Sequence, residues 1–167
     1  MLISYKGKEP RLGTNVFIAD TARVIGDVEI GDNSSIWYGA IIRGDVGYIR
    51  IGKNTNIQDN SVIHIYEHLP VLIGDEVTIG HNVVLHGCII QSRVIIGIGA
   101  IVLDEAEVSE DCIIAAGSVV TPGTKVQGGT LYMGVPARMK RKLTDKEIAH
   151  IRESAAGYIG LARGYRV

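Results

Sequence analysis

Aliphatic residues recur every six positions along most of this chain. The run starts at Ile18 and continues through Val24, Ile30, Ile36 and Ile42. It resumes at Ile51, Ile57 and Ile63, and again at Ile73, Ile79 and Leu85. A last stretch runs from Ile90 through Ile96, Val102, Val108, Ile114 and Val120 to Val126, so that all eighteen positions are Ile, Val or Leu. Three slips interrupt the beat: three extra residues within 43–50, four extra within 64–72, and one missing within 86–89. Turn-forming residues follow the beat, as in "IGDN" (30–33), "IGKN" (51–54) and "IGHN" (79–82). They suit corners where a sharply bent backbone needs positive φ. The period changes after "GVPARMKRKL" (134–143). Thr144 and Glu147 have the spacing of a capping box, and Ile148, Ile151, Ala155, Tyr158, Ile159 and Ala162 recur at helical intervals. A helix is expected over 144–163, with His150 on its solvated side.

The beat resembles the hexapeptide-repeat left-handed parallel β-helix. In that all-β fold each hexapeptide forms one side of a triangular coil, three make a turn, and the aliphatic residue points inward. Eighteen steps then give about six coils. Each coil gains its core from its neighbours, as in other solenoids. A sandwich, by contrast, has no fixed short period. The expected organisation is one domain: a β-helix with an N-terminal lead-in over 1–140, and a C-terminal segment over 141–167 whose helix packs along it.

Composition narrows the classes. A chain of 167 residues suits one domain with a sizeable core. Its 21 glycines and scarce aromatics favour short strands and tight turns. A net charge of -1 gives no electrostatic case for nucleic acid or an anionic membrane. The longest apolar run, "VIIGIGAIVL" (94–103), falls short of the ~18 residues that span a bilayer. The opening "MLISYKGKEP" has no apolar signal segment, and Cys88 and Cys112 have no metal or redox spacing. A cytoplasmic protein with reduced thiols is expected.

The chemistry lies in the histidines. His81 and His86 are five apart, so on one straight strand they face opposite ways. The beat relates more distant residues. Three steps separate Ile63 from Leu85 and Ile42 from Ile63, and Arg43, His64 and His86 each follow one of these residues directly. They form a vertical row, one coil apart at about 4.8 Å. Two stacked histidines suit a pair of zinc ligands, and a third plus water completes a catalytic site. His81 lies on the preceding side of the coil and cannot easily join them within one chain; a second copy can supply it.

The motifs "RGD" (43–45), "NIQDNSVIH" (56–64) and "HNVVLHG" (81–87) resemble those of the γ-class carbonic anhydrase family. The likeness runs from "FIADTARVIGDVEIG" (17–31) to the final helix. It implies a homotrimer with Zn2+ at subunit interfaces, held by His64 and His86 of one chain and His81 of its neighbour. Fe2+ or Co2+ also suits such donors. The implied reaction is reversible hydration of CO2 to bicarbonate and a proton, by water that zinc acidifies. Arg43 and Asp45 match the family's structural ion pair across the interface, and Gln58 with Asp59 matches the residues that position water. Val46 stands where archaeal-type members carry a glutamate, and the loop "IYEHLPVL" (65–72) is short. Glu67 and His68 are its candidate proton shuttles. Tyr158 is either core packing or part of the site's wall, and Cys88 is a packed thiol or a competing ligand. Two other readings stand beside this one: a CoA-linked acyltransferase or thioesterase on the same fold, and a catalytically silent metal-binding homologue.

Overall fold

The computed structural model describes residues 1–165; Arg166 and Val167, which end the 141–167 segment, lie outside the described residues. The beat residues stack vertically on three walls. On the first wall Ile42 pairs in register with Ile63, Ile63 with Leu85, Leu85 with Val102, and Val102 with Val120. All five side chains are fully buried. A second column runs from Ile51 through Ile73, Ile90 and Val108 to Val126. The third runs from Ile18 through Ile36, Ile57, Ile79, Ile96 and Ile114 to Tyr132. Full burial of each aliphatic side chain contributes roughly 1.5–3 kcal/mol, so the columns dominate the stability of the solenoid.

The third wall holds seven parallel strands, from Phe17–Ile18 to Thr130–Met133, so the solenoid has about seven turns rather than six. The expectation stopped short at the ends. Leu12, six residues before Ile18, pairs with Ile30, and Tyr132, six after Val126, pairs with Ile114. Leu12 is exposed because its strand pairs on one side only, and Tyr132 departs from the aliphatic pattern. Corners use left-handed backbone at stacked asparagines: Asn33 and Asn54 have φ of 57° and 56°, and the Asn33 Nδ2 group donates to Asn54 Oδ1 at 3.3 Å.

Each slip in the beat has a structural counterpart. The extra residues within 43–50 belong to one continuous strand, Ile41–Ile51, which joins two walls. Those within 64–72 form a loop closed by a bridge between Tyr66 and Leu69. The parallel stack ends where the strand Arg138–Lys142 returns antiparallel against Thr130–Met133. Its exposed Arg and Lys side chains guard this edge against further pairing.

The helix spans Asp145–Gly164, one residue from its expected bounds, and Thr144 and Glu147 form the full capping box. Ile151, Ala155 and Ala162 are buried against the third wall. The Ser154 and Thr78 hydroxyls meet at 3.1 Å, and the Tyr158 ring stands edge-on to Trp37 with centroids 5.5 Å apart. Among the described residues, no helix is long and apolar enough to cross a membrane.

Two predictions follow from the packing and the cap. Ile96 lies fully buried between Ile79 and Ile114. Its replacement by alanine should lower unfolding free energy by about 2–5 kcal/mol in urea titrations; a loss below about 1 kcal/mol would contradict the stacked core. At the cap, the Arg141 guanidinium, with the Thr144 N–H and hydroxyl, holds the Glu147 carboxyl down to about 2 from 4.5. The folded state therefore binds this proton less readily than the unfolded state. The stabilisation is complete above 4.5 and disappears as pH falls through about 2. Wild type should melt above Glu147→Gln at neutral pH, and the gap should close in strong acid.

Candidate metal centre

The first wall brings the predicted row together. Arg43 pairs in register with His64, and His64 with His86. All three flank inward aliphatic residues and so point outward, by the alternation of a strand. His64 Nδ1 lies 3.3 Å from His86 Nε2, so the two rings turn one nitrogen each toward a common point. Beside this row runs an outward aliphatic column in register: Ile41, Val62, Val84, Ile101 and Val119. Ile41 and Val62 are exposed and the others half-buried, giving an apolar stripe next to the histidines.

His81 sits elsewhere. It follows the strand Thr78–Ile79 on the third wall and shares no sheet with His64 or His86. Among the described residues of one chain, no three His, Cys, Asp or Glu side chains gather as a metal cage. The coil register explains what His81 does touch. Ile57 pairs with Ile79, so Asp59 lies one coil from His81 at the equivalent position.

Each of the three histidines is tied to an aspartate through one ring nitrogen. His81 Nδ1 lies 2.7 Å from Asp59 Oδ2, His64 Nε2 lies 3.0 Å from Asp45 Oδ1, and His86 Nδ1 lies 2.5 Å from Asp104 Oδ1. An imidazole that donates N–H to a carboxylate has its tautomer fixed and its other nitrogen free as a lone-pair donor. The nitrogens turned away from the aspartates are His81 Nε2, His64 Nδ1 and His86 Nε2, the last two 3.3 Å apart. Three imidazoles, each anchored through one ring nitrogen, fit the donor set of a three-ligand zinc site with an open position.

The carboxylates are themselves held. Asp45 also pairs with Arg43 within the chain. Burial pushes the Asp45 carboxyl up, but bonds from His64 and Arg43 outweigh it and leave it below the usual range. Asp59 accepts a hydrogen bond from the Tyr38 N–H at 3.2 Å. Gln58 is 5% exposed and donates through Nε2 to Asn56 Oδ1 at 3.1 Å. Asn56 in turn donates to Thr78 Oγ1 at 2.9 Å, and Thr78 meets Ser154 on the helix. A polar chain beneath the helix thus orients the Gln58 carboxamide.

The remaining candidates lie further out. Glu67 and His68 are 74% and 89% exposed on the loop and lie 3.6 Å from one another. Tyr66, on the same loop, brings its ring to 6.4 Å from that of His86. Tyr158 packs on Trp37 while burial, and then the charge of Asp59, push its phenol up. Cys88 is fully buried in the aliphatic core, and burial pushes its thiol up to about 12. Asp104 was not among the sequence candidates. Val102 lies one coil from Leu85, which sets Asp104 level with Gly87, and only its side chain reaches back to His86 Nδ1.

These side chains are mounted on a solenoid of hexapeptide repeats, and the bacterial transferase hexapeptide family (six repeats) matches residues 9–44. Gamma carbonic anhydrase 2, mitochondrial, of Arabidopsis thaliana is 46% identical over 168 residues, covering 97% of this chain and 60% of that protein. A carbonic anhydrase of Geobacillus kaustophilus is 43% identical over 166 residues, covering 99% of this chain and 91% of that protein. The crystal structure of a hexapeptide transferase family protein from Anaplasma phagocytophilum superposes with a TM-score of 0.96 at 46% identity, covering 99% of this chain and 98% of that one. The chain belongs to the γ-class carbonic anhydrase family. It spans about 60% of the length of the Arabidopsis relative and nearly all of the Geobacillus one.

Proposed function

We propose that this protein is a metal-dependent carbonic anhydrase that interconverts CO2 and bicarbonate, assembled as a homotrimer with a metal centre at each subunit interface. One observation carries the reading: His64, His81 and His86 each have one ring nitrogen on an aspartate, and the second nitrogens of His64 and His86 face one another at 3.3 Å. His64 and His86 of one chain and His81 of its neighbour hold the metal. The apolar stripe beside His64 and His86 supports an interface there, since an exposed aliphatic column marks a surface that another chain covers. Two of the three ligands lie along that stripe.

Zinc suits three imidazoles and an open position; Fe2+ and Co2+ suit the same donors. When bound, the metal supplies a water acidic enough to lose a proton near neutral pH. The chain's own residues do the rest. Asp45, Asp59 and Asp104 hold the ligand tautomers. Arg43 fixes Asp45 at the rim. Gln58, oriented through Asn56, positions water or substrate by hydrogen bonding. Glu67 and His68 carry the proton outward from the loop. Tyr158 sets the wall of packing behind Asp59. The likeness to carbonic anhydrases of known name supports this reaction over acyl transfer, where one histidine base suffices and three aspartate-held imidazoles have no task. The two buried, reduced thiols are consistent with a cytoplasmic location.

The shared site makes a complementation prediction. His64→Ala and His81→Ala chains, each purified alone, should bind no zinc at this site. Unfolded together and refolded as a mixture, they should regain part of the zinc and of the CO2 hydration rate in stopped flow. Mixed trimers that recover no metal would contradict the shared site, and a zinc-loaded wild type no faster than its metal-free form would contradict the activity.

A further inference from the structure

The coil above His86 supplies a group with no role among the candidates read from the sequence. Asp104 Oδ1 lies 2.5 Å from His86 Nδ1, and the carboxylate has no other ion pair among the described residues. Its backbone is fixed on both sides. The Glu105 N–H donates to the Gly87 carbonyl at 2.8 Å, and the Gly123 N–H donates to the Asp104 carbonyl at 2.8 Å. Space is reserved for the carboxylate at the same point: a Cβ on Gly87 would lie 2.4 Å from Asp104 Oδ1. Gly87 also has φ +51°, the left-handed region that favours glycine. The missing residue in the beat within 86–89 therefore brings His86, a bare glycine and the aspartate of the next coil together.

Resting on the metal-centre reading above, we infer that Asp104 is a positioning residue: its carboxylate holds His86 in the Nδ1–H tautomer and aims Nε2 at the metal. A neutral imidazole left alone shares its proton between both nitrogens, and the Nε2–H form cannot donate a lone pair from Nε2. The partner of the second ring nitrogen selects the tautomer and sets the orientation of the ring. Asp104 is at the first ring nitrogen of His86, while His64 Nδ1 faces the second at 3.3 Å. Asp45 and Asp59 already have second tasks, with Arg43 and with the Tyr38 N–H. Asp104 is left to His86.

The test uses the full-length protein and two variants, Asp104→Ala and Asp104→Asn. Nitrogen-15 NMR of the metal-free imidazoles reads the tautomer directly, and chelator competition reads zinc affinity. Wild type should show His86 as Nδ1–H. In Asp104→Ala the Nε2–H form should appear and zinc affinity fall roughly 10–100-fold. Asp104→Asn keeps an acceptor oxygen, so it should keep the tautomer while its Nδ1 proton moves upfield as the charge is lost. A purely structural role would lower the melting temperature and leave tautomer and proton shift where they are. An unmoved tautomer or affinity in Asp104→Ala overturns the inference; should that variant not fold, an unmoved Nδ1 proton in Asp104→Asn overturns it. If wild type takes up no zinc, the metal-centre reading fails, and the tautomer alone decides the role of Asp104.

Discussion

Vertical register between coils is the constraint on which everything else rests. Ile42, Ile63, Leu85, Val102 and Val120 lie directly above one another, each fully buried. Such close-packed aliphatic columns leave little freedom for a coil to slide. A slip of one residue would turn the whole inward set to solvent. The outward residues inherit this precision. Arg43, His64 and His86 stand in a row because Ile42, Ile63 and Leu85 do. Asp59 reaches His81 because Ile57 and Ile79 are paired.

The places where the beat breaks are the places where chemistry accumulates. The extra residues after Ile42 provide Asp45, which binds both Arg43 and His64. Those after Ile63 form the loop that carries Tyr66, Glu67 and His68 beside the row. The residue missing after Leu85 leaves Gly87 with the space that Asp104 needs. An uninterrupted solenoid would be a rod with a uniform surface. The slips bend its wall locally while the columns keep the remainder straight.

Much of this was legible in the sequence. The six-residue beat gave the fold, and the offsets from it gave the Arg43–His64–His86 row. The capping box placed the helix start at Thr144. The end coils lay outside the expected run because Tyr132 is not aliphatic, and because Leu12, though at the right spacing, is a single step preceded by Lys6. Asp104 was missed for another reason. It lies two residues beyond an inward position, next to a slip, and its link to His86 depends on side-chain torsions that spacing does not encode. The same holds for the chain Gln58–Asn56–Thr78–Ser154, whose last member comes from the helix. Periodicity specifies the level of a residue in the solenoid; hydrogen bonding between levels depends on rotamers and on which glycines leave room.

Under the proposed reading, the separation of His81 from His64 and His86 within one chain makes the metal centre a property of the assembly. Anomalous diffraction at the zinc edge from crystals grown with zinc tests this most directly. We predict one strong peak at each interface between chains, bounded by His64 and His86 of one subunit and His81 of the next. A zinc peak lying within a single chain, or an interface with these histidines and no peak, would contradict it.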